Sequence, residues 1–80
     1  MYPKTFHEKL KYARENAGYS QEIVAKYLHI SRSTLANYEL GIRKPNLDTL
    51  AMICDFYCVS ADWLLGTQGG KNNGWWIQIR

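Results

Sequence analysis

The chain lacks the devices by which a short protein crosses a membrane or becomes an enzyme. No apolar run approaches the roughly 20 residues that span a bilayer. The first residues carry no signal-peptide apolar region. Both absences predict a soluble cytoplasmic protein. Cysteine is scarce: Cys54 and Cys58 are the two present, and two make no disulfide scaffold. Four apart, they fall near one helix face, where free buried thiols are expected in a reducing compartment. No glycine-rich phosphate loop precedes a basic residue, and there is no HExxH and no nucleophile with a base nearby, so no enzyme is predicted. His7, His29, Cys54 and Cys58 match no common zinc spacing, and neither a metal nor a cofactor is expected.

What is present is a compact set of helical signals. With 80 residues, 46% of them hydrophobic, the chain is long enough for one small domain with a real core. A net charge of +3 favours a polyanionic partner only mildly.

Thr5 and Glu8 have the spacing of a capping box for a first helix. Phe6, Leu10, Ala13 and Ala17 form its inner stripe, Lys4, Lys9 and Lys11 its outer side, and Gly18 its end. Ser20 caps a second helix, with Tyr19 and Val24 spaced as a hydrophobic staple, and Val24, Ala25 and Leu28 on one face. Ser31 caps a third, with Ile30 and Leu35 as staple, Tyr38 continuing the inner face, and Gly41 as a left-handed terminator. His29, in the sharp turn between the second and third helices, sits where positive φ is needed. Histidine tolerates that better than most residues, so its role there is read as backbone geometry.

Pro45 blocks a restart after the third helix. Asn46 caps a fourth helix, with Asp48 in its first turn. Its inward positions are Leu47, Leu50, Ile53, Cys54 and Tyr57, with Ala51 and Phe56 sharing in them. Ser60 caps a short fifth helix, Ala61 to Leu65, with Trp63 and Leu64 as lid and Gly66 as its end. The fold class is therefore all-α, a five-helix bundle.

Gln21, Ala25, Ile30-Ser31, Leu35, Glu39, Gly41 and Pro45, followed by Leu50, Ile53, Val59-Ser60 and Asp62-Trp63-Leu64-Leu65, resemble the pattern of the XRE family. These are the lambda-repressor-like and Cro-like helix-turn-helix DNA-binding domains. The resemblance covers about residues 6–66. It departs from the pattern at His29, where Gly is frequent, at Cys54, where Ala is frequent, and at Cys58, a turn position usually held by Gly or Asn.

The resemblance implies a transcriptional regulator, a repressor of phage or mobile-element type, with residues 31–40 as recognition helix. It places Arg32, Ser33, Ala36 and Asn37 at base-reading positions. The chemistry suits them: Arg32 can donate twice to guanine O6 and N7, and Asn37 can pair with adenine N6 and N7. Ser33 suits a base or a phosphate, and Ala36 a thymine methyl. Gln21 matches a phosphate-binding position at a helix N-terminus, which itself favours an anion. Arg43 and Lys44 follow the recognition helix as phosphate clamps, with Ser20, Thr34 and Tyr38 as weaker candidates. Arg14 and Glu39 match an ion pair that ties the first helix to the third. The implied partner is a double-stranded, palindromic operator read by a homodimer, with half-sites about 34–36 Å apart.

Residues 67–74, TQGGKNNG, read as a linker, which divides the chain into a domain at 1–66 and a tail at 67–80. In WWIQIR, Trp75, Ile77 and Ile79 alternate with Trp76, Gln78 and Arg80, a strand periodicity. An isolated strand is unstable, so the tail stays disordered, docks on its own domain or pairs with a second chain. Two other functions fit the same sequence. One is an antitoxin that holds a toxin through the tail. The other is an interaction adaptor that has lost DNA.

Overall fold

The computed structural model describes residues 3–66. The predicted linker and tail, 67–80, lie outside the described residues. Within them the chain forms α1 (Phe6–Ala17), α2 (Gln21–Leu28), α3 (Arg32–Leu40), α4 (Leu47–Tyr57) and α5 (Ala61–Leu65). α1 packs against α3, α4 and α5, α2 against α3 and α4, and α4 against α5. No helix among the described residues is long and apolar enough to cross a membrane.

The helix boundaries follow local chemistry. The side chains of Thr5, Ser20, Ser31, Asn46 and Ser60 each accept a hydrogen bond from a first-turn N–H of the helix they open. At α1 the capping box closes in full: Thr5 accepts from the Glu8 N–H and Glu8 Oε1 accepts from the Thr5 N–H. That geometry satisfies donors a helix start would otherwise leave orphaned. Each of the five helices ends on a left-handed residue. Two of these are not glycine, His29 at φ 59° and Cys58 at φ 56°.

The core is Leu10, Val24, Ala25, Leu28, Leu35, Tyr38, Ile53 and Leu64. Burying one such large side chain contributes roughly 1.5–3 kcal/mol. Phe6, Leu50, Cys54, Phe56, Tyr57 and Trp63 pack on it half-buried.

Four positions differ from the helical reading. Ala17 and Ala51 are exposed rather than inward. Ala17 is the last residue of α1. Leu47 is 81% exposed. It opens α4 and borders, with Phe6, Pro45, Leu50 and Leu65, a surface groove of about 290 Å³. Lys9, expected outside, is buried. Its Nζ donates to the Trp63 carbonyl at 2.7 Å and lies 5.5 Å from the centre of the Trp63 ring. That carbonyl belongs to the last turn of α5, the end of the helix dipole that favours a cation. Lys9 thus fastens the shortest helix to the first.

Candidate nucleic-acid interface

α3 separates two faces. Leu35, Tyr38 and Glu39 are buried, while Arg32 and Ser33 are exposed and Ala36 and Asn37 half-buried at its outer edge. Positions 32, 33, 36 and 37 share one side because residues three and four apart are neighbours on a helix. No carboxylate stands in the first turn of α3, unlike α1, α2, α4 and α5. Instead the helix opens on Arg32. A cation there works against the helix dipole by about 0.3–1 kcal/mol, and it leaves a positive end turned to solvent.

The start of α3 is capped by its own side chains. Ser31 Oγ accepts from the Thr34 N–H at 3.0 Å, and the two hydroxyls lie 2.8 Å apart. Thr34 is therefore already engaged in the cap and is half-buried. At the other end, the Asn37 carbonyl accepts from the N–H groups of Ile42 at 3.0 Å and Arg43 at 3.3 Å. The turn carrying Arg43 and Lys44 is thus tied to α3 itself. Both side chains are exposed, and Lys44 also borders the groove described above. Gly41, at φ 81°, makes that turn under the His7 ring: a Cβ built there would lie 2.9 Å from His7 Nδ1.

Ser20 and Gln21 stand at the start of α2. Ser20 Oγ accepts from the Ile23 N–H at 3.2 Å, and its own O–H can still donate. Gln21 is half-buried, and its Nε2 donates to Glu39 Oε1 at 3.0 Å. Glu39 also holds Arg14 in a two-pronged pair, Nε to Oε2 at 2.8 Å and Nη2 to Oε1 at 3.1 Å. The remaining Arg14 nitrogen, Nη1, donates to the Tyr19 carbonyl at 2.9 Å. The pair's side chains are 12% and 3% exposed, so solvent screens it little. The bond to Glu39 pushes the Arg14 pKa up further, against the effect of burial. Beside it the Tyr57 hydroxyl is buried without a hydrogen-bond partner. Burial, with the Glu39 charge adding to it, pushes that phenol well above the usual tyrosine range.

The structure thus brings Arg14, Glu39 and Gln21 together in one network, and Arg32, Ser33, Ala36 and Asn37 onto one face. The Gln21–Glu39 contact was not foreseen. Both residues stand out in the sequence, but their meeting depends on how α2 crosses α3. His7 was likewise weighed as a metal ligand and not as a neighbour of Gly41. Among the described residues, no group of three or more His, Cys, Asp or Glu is placed to hold a metal ion.

A helix-turn-helix family model matches residues 10–64, and the chain belongs to that family. It is 46% identical over 59 residues to the HTH-type transcriptional regulator ImmR of Bacillus subtilis, covering 74% of this chain and 46% of ImmR. It is 42% identical over 60 residues to the SPbeta prophage-derived uncharacterized HTH-type transcriptional regulator YonR of the same organism, covering 75% and 56%. A third relative, the HTH-type transcriptional regulator AnsR of Bacillus subtilis, is 38% identical over 64 residues, covering 80% and 55%. The chain spans about half the length of these curated relatives.

Proposed function

We propose that the chain binds double-stranded DNA in a sequence-specific way and acts as a transcriptional regulator, a repressor of phage or mobile-element type, rather than as an enzyme. α3 lies in the major groove. Arg32 and Asn37 read base edges, with Ser33 and Ala36 beside them. Gln21, Ser20 and Thr34 on one side and Arg43 and Lys44 on the other hold phosphates. Two copies read a palindromic operator in the cytoplasm, on the nucleoid DNA. The observation that carries the reading is the division of α3: its inner face is sealed in the core while Arg32 and Ser33 stand free on the other. The names of the relatives, transcriptional regulators and one of them prophage-derived, support the same reading.

Duplexes selected from a random pool, followed by gel shifts at two salt concentrations, test it. Arg32→Ala is expected to weaken binding and relax choice at one base pair, losing about 1–3 kcal/mol of discrimination. Lys44→Ala is expected to weaken all duplexes alike and to flatten the salt dependence by about one unit of slope. An equal loss on every duplex for Arg32→Ala would count against α3 as the reader.

A further inference from the structure

The carboxylate of Glu39 is an unusual neighbour for a phosphate-binding element. It is buried, it carries negative charge, and it contacts the first residue of α2. Two features make the arrangement workable. Arg14 grips both carboxylate oxygens, so an approaching phosphate meets a neutral pair rather than a bare anion. The contact also fixes which way the Gln21 carboxamide faces. Its oxygen cannot face a carboxylate that only accepts, so the nitrogen turns inward.

A carboxamide nitrogen has two N–H groups. One is used on Glu39, and a phosphate, which only accepts, can take no more than the other. Arg14 adds a further constraint by holding the Tyr19 carbonyl, two residues before Gln21. The backbone at the start of α2 and the side chain of its first residue are both set from the same pair.

We propose that Glu39 is a positioning residue for DNA. It takes one N–H of the Gln21 carboxamide and leaves the second as a pre-oriented donor to a backbone phosphate. The inference rests on the DNA-binding reading above and adds to it how the phosphate contact is built. Its consequence is that Glu39 acts on affinity through Gln21, and not only by holding α1 to α3.

Two measurements on the full chain test this, using a duplex selected from a random pool. In the first, the side-chain amide protons of Gln21 in the wild-type protein are followed by NMR. The proton bonded to Glu39 is expected to keep its shift as duplex is added, while the other moves. Both moving together, or neither moving on a duplex the protein binds, overturns the inference and leaves the DNA-binding reading intact. Failure to bind any duplex overturns both.

In the second, affinities are measured for Gln21→Ala, Glu39→Gln and the double variant, with folding checked by circular dichroism. Loss of a hydrogen bond to a charged group predicts a roughly ten- to hundredfold weaker complex for Gln21→Ala. Glu39→Gln is expected to weaken binding in the wild-type background and to add little once Gln21 is alanine. The same loss in both backgrounds would make Glu39 merely structural. If Glu39→Gln does not fold, the amide protons of the wild type decide alone.

Discussion

Gly41→Ala is the sharpest test of how α3 is joined to the rest of the domain. At φ 81° an L side chain costs about 1–2 kcal/mol relative to a right-handed backbone. The stiffer unfolded chain returns about 0.4–1 kcal/mol of that. The second cost is steric. The new Cβ would lie 2.9 Å from His7 Nδ1, closer than real contacts allow, and 3.1 Å from two ring carbons, tighter than most real contacts. The ring must shift, and with it the contact of His7 Nδ1 with Thr5 Oγ1 at 3.3 Å, on the residue that caps α1. Overpacking of this kind costs about 1–3 kcal/mol.

The net loss is therefore about 2–3 kcal/mol, or a melting temperature lower by roughly 10–20 °C in a domain of this size. Gly18 provides the control. Its φ is 82°, and a Cβ there meets nothing within 4 Å, so Gly18→Ala is expected to cost only about 0.5–1 kcal/mol. Thermal unfolding of both variants, and of Gly41→Ala combined with His7→Ala, separates strain from clash. The reasoning fails if Gly18→Ala and Gly41→Ala cost the same, or if removing the His7 ring leaves the difference unchanged.

Tyr57→Phe is expected to stabilise the fold by about 1 kcal/mol, because it removes a buried hydroxyl that has no partner; denaturant midpoints check this. The raised Tyr57 pKa also means that the wild type keeps its full stability below about pH 10 and loses some as pH rises further, a loss Tyr57→Phe should reduce. Glu8 is held below the ordinary carboxylate range by the N–H groups of Lys4 and Thr5. Its contribution is therefore present above about pH 4.5 and is lost as pH falls through the depressed value. Glu8→Gln, which retains an acceptor for the capping box, should show a shallower loss of stability on acidification, measured as melting temperature against pH. For the thiols, Cys58 is exposed and Cys54 half-buried, with burial pushing the Cys54 thiol up. An alkylating reagent at neutral pH should modify Cys58 first, as peptide mass mapping over time would reveal.

Local chemistry determined much of this protein before any tertiary contact. The five N-caps, the left-handed ends at Gly18, His29, Gly41, Cys58 and Gly66, and the helix-turn-helix spacing all rest on interactions within a few residues, so they can be read from neighbours alone. Burial of Leu10, Val24, Leu35, Ile53 and Leu64 was legible for the same reason, since a helical period places them on one side. Tertiary structure decided what period alone cannot. Lys9 shares the spacing of Phe6, Leu10 and Ala13, but it turned inward, where its ammonium donates to the Trp63 carbonyl of α5. Leu47 kept that same kind of spacing on α4 and stayed outside, at the rim of the groove it shares with Phe6 and Leu65. Gln21 met Glu39, and Gly41 met His7, across gaps of 18 and 34 positions. Such meetings depend on how helices cross, and no pattern along a single helix encodes the direction of its neighbour.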